Sequence, residues 1–211
     1  LRLFRDERPV SIKTTPKVIK NLFDESPWIL PAGINWSTRS ESERRPNLQS
    51  NKIFLLSMKE RTPHFQSLVE TFPGNLAYFS QDCFSQDDEG ARLTLQKDNG
   101  GIRPYRSGAF ASRETFQHGR FEAEIRAARG PGLVTGFFLH RSSPRQEIDI
   151  ELTGDNPRSM LVNVYFNPGD DGASIEYGYR GSPYRVDLDF DATLDFHSYA
   201  IEWEPGRISW L

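Results

Sequence analysis

From about residue 76 to the end of the chain, apolar side chains recur at every second position in short runs closed by turn residues, and that period decides the fold class. In "RFEAEIRA", Phe121, Ala123 and Ile125 alternate with Arg120, Glu122, Glu124 and Arg126. "ARLTLQ" alternates before the turn "DNGG" at 98–101, and "AFASRETF" leads through His118 and Gly119 into the Phe121 run. "GPG" at 130–132 introduces the apolar stretch "LVTGFFLH"; "MLVNVYF" meets the turn "NPGDDG" at 167–172; "HSYAIEW" closes at Pro205 and Gly206 before "RISWL". Strand residues two apart share a face, so many short runs of this kind predict an all-β sandwich or jelly roll. The 15 Phe, 7 Tyr and 4 Trp, with 16 Gly and 14 Pro for the turns, suit that class.

The first third reads differently. "TTPKVIKNLFDES" offers Thr15 as an N-cap, Pro16 at the first helical position and Val18, Ile19, Leu22 and Phe23 at helical spacing, which predicts a short helix. "RTPHFQSLVETFPG" repeats the device with Thr62, Pro63, then Phe65, Leu68, Val69 and Phe72 and a Pro73-Gly74 stop. Between them, "STRSESERRPN" at 37–47 is polar and reads as an exposed loop. The expected organisation is therefore an N-terminal extension of helices and loops over 1–75, to which the sequence assigns no role, and a β domain over 76–211.

The net charge of −3 is unevenly spread, with 12 Lys/Arg against 8 Asp/Glu in residues 1–75 and 14 against 21 in residues 76–211. An acidic main body argues against nucleic acid as partner and suits a neutral polymer. No apolar run approaches membrane-spanning length. The single Cys83 has no partner for an internal disulfide and reads as a small buried residue. The chain begins with Leu1 and shows no signal-peptide pattern, which suggests a processed chain or a piece of a longer one.

"RQEIDIELTG" at 145–154 places Glu147, Asp149 and Glu151 on alternate positions, so that a strand here presents three carboxylates on one face and Ile148 and Ile150 on the other. Any half-solvated strand alternates in this way. Two details favour a chemical role: like charges on one strand face are destabilising, and the apolar run before it places the strand inside a sheet. Retaining glycoside hydrolysis needs two carboxyl groups about 5–5.5 Å apart, one a nucleophile and one a proton donor. A flat strand separates the Cα atoms of Glu147 and Glu151 by roughly 13 Å, so curvature and inward-leaning side chains must bring their tips together. Asp149 between them can hydrogen-bond a flanking Glu and push the two titrations apart.

"EIDIE", preceded by "GPGLVTGFFLH" and followed by "NVYFN", closely resembles the signature of glycoside hydrolase family 16, the jelly-roll enzymes that include lichenases, laminarinases, agarases, carrageenases and transglycosylases. "HGRFEAEIRA" and "DFHSYAIEWEPGRISW" resemble flanking family segments, so the resemblance runs in order over about residues 105–211. It implies a concanavalin A-like jelly-roll sandwich in which Glu147 is the nucleophile, Asp149 the assisting acid and Glu151 the general acid/base. It further implies Asn163, Tyr165, Asn167 and His197 as substrate-binding residues, with His197 close to the acids. The structural alternatives are a polar strand face for the first three and a core or capping role for His197.

The resemblance has gaps. Lichenases carry Glu and Arg at the strand positions that here are Ala109 and Ala111, which weakens a strict mixed-linkage reading. The family continues past the position of Leu211 with further strands, so a C-terminally incomplete sandwich is expected, with an exposed edge unless the N-terminal third covers it. The function implied is endo-acting, retaining hydrolysis of β-linked glucan-type polysaccharide. Its alternatives are transglycosylation by the same residues, or a non-catalytic carbohydrate-binding module. No cofactor or metal is expected, the partner is polysaccharide rather than nucleic acid or membrane, the chain is a monomer, and a polymer substrate implies an extracellular, periplasmic or cell-wall location.

Overall fold

A computed structural model of the chain describes residues 10–15, 18–20, 27–29, 33–38, 58, 63–116, 118–142, 145–166, 181 and 183–211. In chain order the strands are β1 (Val10–Thr15), β2 (Val18–Lys20), β3 (Pro27–Ile29) and β4 (Gly33–Thr38). After them come β5 (Phe65–Ser67), β6 (Ala77–Phe79), β7 (Phe84–Asp87), β8 (Gly90–Leu93), β9 (Leu95–Lys97), β10 (Tyr105–Ser107) and β11 (Phe110–Ser112). The last group is β12 (Gly119–Ile125), β13 (Val134–Ser142), β14 (Arg145–Thr153), β15 (Ser159–Phe166), β16 (Tyr184–Asp187), β17 (His197–Glu204) and β18 (Arg207–Trp210). Among the described residues the only helical element is a 3₁₀ turn at Gln81–Cys83, and no helix is long and apolar enough to cross a membrane.

Both helices expected in the first third are corrected. Thr15 ends a strand rather than capping a helix, and Val18–Lys20 pairs antiparallel with Pro27–Ile29; Pro16, Leu22 and Phe23 lie outside the described residues. Phe65 opens a strand that pairs antiparallel with Phe110–Ser112, and Leu68, Val69 and Phe72 follow it without helix; Thr62 lies outside the described residues. Helical spacing and a Thr-Pro start are local preferences of a few tenths to about 1 kcal/mol per residue, and strand pairing overrides them, with a nearby segment at Val18–Lys20 and with a distant one at Phe65–Ser67.

The chain divides into two compact units, one of Leu1–Arg2 and Asn51–Gln117, the other of Leu3–Ser50 and His118–Leu211. In the first, β6, β10 and β9 form a three-stranded sheet, β7 pairs with β8, and Phe110 packs against Phe65 and Phe84 at centroid distances of 5.3 and 5.1 Å. Cys83 is buried there as a free thiol.

The second unit holds a five-stranded sheet in the order β12-β17-β18-β1-β4 and a four-stranded sheet in the order β13-β14-β15-β16. β1 is paired to β18 from Val10 opposite Trp210 to Lys13 opposite Arg207, so a strand from the first third covers the outer edge of the chain's last strand. Both sheets contribute to one core: Ile148, Ile150 and Leu152 of β14 and Met160 and Val162 of β15 meet Tyr199 and Ile201 of β17 and Trp210 of β18. Each fully buried Ile, Leu or Val of this set stabilises the fold by about 2 kcal/mol through removal of apolar surface from water. Trp210, wholly buried, also donates its indole Nε1–H to the Asp149 carbonyl at 2.9 Å, tying the last strand to the middle of β14.

On the opposite face of the five-stranded sheet, Arg120 bridges two acids. Its guanidinium donates to Glu122 at 2.6 Å and to Glu202 at 2.7 Å, the latter being its directly paired residue on β17. Glu122 is buried, so this pair satisfies a charge that would otherwise be costly.

Candidate active site

β14 has β13 on one side and β15 on the other, in continuous antiparallel register. The period of two turns Ile148, Ile150 and Leu152 into the core and leaves Glu147, Asp149 and Glu151 on the outer face of the four-stranded sheet. At the C-terminal end of β14, Gly154 donates to the Leu133 carbonyl at 2.9 Å and accepts from Gly130 N–H at 3.1 Å. A Cβ on Gly154 would stand 2.5 Å from the Gly130 oxygen and 2.6 Å from that of Ala128, so only glycine permits this approach. Beneath the middle of the strand lies Trp210.

Directly paired residues of neighbouring strands project to the same side, which builds the face in rows across the sheet. One row is His140, Glu147, Tyr165 and Gly181; the next is Phe138, Asp149 and Asn163; the third is Gly136, Glu151, Leu161 and Arg185. Asp149 and Asn163 are buried at the centre, Glu147, Glu151 and Tyr165 are half-buried, and Phe138 and His140 are exposed. The carboxylates are thus neither lost in a core nor free in solvent.

Electrostatics separates the acids. Burial, and then the negative charge of Glu147, raises the pKa of Glu151 above the ordinary carboxylate value, so Glu151 holds its proton to higher pH. Tyr165 is pushed up to about 12, first by burial and then by the charges of Glu151, Asp149 and Glu147, against a hydrogen bond from Asn163 that favours the phenolate. One side chain on β15 therefore feels all three acids.

Of the residues singled out in the sequence, Glu147, Asp149, Glu151, Asn163 and Tyr165 share this face. Asn167 lies outside the described residues. His197 stands at the start of β17 in the other sheet, on the side of the strand that carries Tyr199 and Ile201, with its ring stacked on Phe190 at 3.6 Å. Phe138, His140, Arg185 and Gly181 were not singled out. The alternation of "GFFLH" beside the acid strand would have placed Phe138 and His140 on the acid face, whereas the short β16 and Gly181 carry no pattern of their own.

An antiparallel two-sheet unit with a buried seam of Ile, Leu and Trp beneath an alternating acid row defines the class: an all-β sandwich with a carboxylate site on one sheet. The family model "Glycosyl hydrolases family 16" matches residues 75–211, about two thirds of the chain, and the chain belongs to that family. Its fold is the family's β-jelly-roll sandwich. A β-glucanase of Acetivibrio thermocellus is 36% identical over 120 residues, 55% of this chain and 33% of that protein. A β-glucanase of Brevibacillus brevis is 30% identical over 125 residues, 56% of this chain and 44% of that protein. The chain thus spans a third to under half the length of these curated relatives. A solved β-1,3-1,4-glucanase (lichenase) derived from a mouse hindgut metagenome matches with a TM-score of 0.64 at 25% identity, covering 74% of this chain and 72% of that one.

Proposed function

We propose that this chain carries the catalytic face of an endo-acting, retaining glycoside hydrolase that cleaves β-linked glucan-type polysaccharide by double displacement. The observation that carries the reading is a pair of carboxyl groups, Glu147 and Glu151, on the same face of one strand, of which Glu151 has its proton affinity raised by burial and by Glu147. Glu147 attacks the anomeric carbon while Glu151 gives its proton to the departing glycosidic oxygen, so the C–O bond breaks as a glycosyl ester forms. Glu151, now a carboxylate, takes a proton from water, and the hydroxide oxygen displaces Glu147, restoring both groups. Asp149, buried between them, is the assisting acid. Asn163 and Tyr165 offer hydrogen bonds to the sugar, and the exposed ring of Phe138 offers it an apolar surface.

The β-glucanase relatives support glucan as the polymer. In this reading residues 76–211 carry the family domain, residues 1–75 form an extension that lends β1 to its sheet, and the protein acts as a monomer outside the cytoplasm, where such polymers lie. The test is an activity screen on laminarin, lichenan, xyloglucan and agar with wild type and Glu147→Gln. New reducing ends, first released with retained anomeric configuration and reduced at least about 1,000-fold by the substitution, are expected. Products longer than the substrate would assign the same chemistry to transglycosylation, and binding without cleavage that Glu147→Gln leaves unchanged would sink the enzymatic reading.

A further inference from the structure

We propose that Gly181 is a positioning residue for the acid face: its missing side chain is the space into which Tyr165 and Asn163 lean, and this keeps both on the floor of the site beside Glu147 and Asp149. Gly181 pairs with Tyr165 in an isolated antiparallel bridge beyond the end of β16, so it completes the row that runs from His140 through Glu147 and Tyr165. A Cβ placed there would lie 2.9 Å from the Tyr165 Cε1 atom and 3.0 Å from both Nδ2 and Oδ1 of Asn163. The φ of Gly181 is outside the left-handed region, so backbone conformation supplies no reason for glycine; the occupied space does.

The two side chains that fill the space have little freedom to retreat. Asn163 is 2% exposed and directly opposite Asp149; Tyr165 is half-buried and directly opposite Glu147. On the strand's other flank are the carboxylates. A methyl group at 181 therefore has two outcomes: it drives the ring and amide toward Glu147 and Asp149, or lifts them off the floor into the space above the acids. Either disturbs groups that the proposed function places against the sugar, and the inference rests on that reading for its kinetic consequence alone.

The experiment is a double-mutant cycle on the full chain with wild type, G181A, Y165A and Y165A/G181A, followed by glucan hydrolysis and by NMR of ring-labelled tyrosine, with the Tyr165 signal assigned from Y165F. Expected are a fall in kcat of about tenfold or more for G181A with KM changed less than about threefold, a moved Tyr165 signal, and a penalty below about threefold when G181A is added to Y165A. Equal penalties in the two backgrounds, or an unmoved Tyr165 signal, overturn the proposal. If G181A fails to fold while Y165A/G181A folds, the clash with the ring is confirmed; failure of both to fold overturns it. A wild type that cleaves no glucan removes the catalytic reading, yet the Tyr165 signal still decides whether Gly181 sets that side chain.

Discussion

Trp210→Phe removes two things at once from the seam between the sheets. Phenylalanine is shorter by about 40–50 Å² of surface, all of it buried because Trp210 is 0% exposed, which at about 25 cal/mol per Å² costs about 1 kcal/mol. It also lacks the indole N–H that the Asp149 carbonyl accepts at 2.9 Å, and losing one hydrogen bond at a carbonyl on a strand paired on both sides costs about 0.5–1.5 kcal/mol. The two terms give about 1.5–2.5 kcal/mol, and for a chain of this size a fall in Tm on the order of 3–10 °C. Urea and thermal unfolding followed by circular dichroism measure it, at a pH where all three acids of β14 are in the same state for both proteins. A loss under about 1 kcal/mol would falsify the reasoning, because it would mean that neither the buried bond nor the ring's outer edge is felt. The position of the bond adds a kinetic expectation: Asp149 sits at the centre of the acid row, so kcat on glucan should fall together with stability, and the KM change should be smaller.

Glu151→Gln should abolish hydrolysis by at least about 1,000-fold and yet stabilise the fold at neutral pH. The sign follows from the raised pKa: protonated Glu151 is favoured in the folded chain, so its contribution is complete below the unfolded carboxylate pKa and is lost as pH rises through the higher folded value. The Tm advantage of the variant over wild type should therefore vanish in acid and grow towards neutrality; an advantage that is constant across pH would contradict a raised Glu151. Arg120→Met leaves Glu122 buried without its guanidinium and should cost about 3–5 kcal/mol, with Glu122→Gln in the same background recovering part of it; urea titration of wild type and the two variants checks this.

The strands that build the site were legible because each depends on its own alternation. "EIDIE", "MLVNVYF", "HSYAIEW" and "RISW" fall within strands of the second unit, and "RFEAEIRA" and "LVTGFFLH" coincide with β12 and β13 except at one end, since one face of each meets a core and the other does not. The first third misled because Val18–Lys20 and Phe65–Ser67 are strands of three residues, too short to show a period of two, while their Thr-Pro neighbours imitate helix starts. The rows across the sheet were out of reach: sequence alternation says which side a residue takes, but the opposition of His140 to Glu147 or of Gly181 to Tyr165 is a matter of register. The separation of Glu151 from its neighbour acids was legible in kind, as repulsion along one face, though the larger cause, burial, depends on what lies on either side.

Because β14 serves the core with its even-numbered residues and carries the proposed catalytic carboxylates on its odd-numbered ones, the two cannot drift apart. Inserting or deleting a single residue between Gln146 and Leu152 would turn the carboxylates inward and the isoleucines outward downstream of the change, losing solubility and catalysis in the same step. Point substitutions can tune either side of this ribbon separately. Changes of length cannot, and libraries that vary this protein should confine them to the turns.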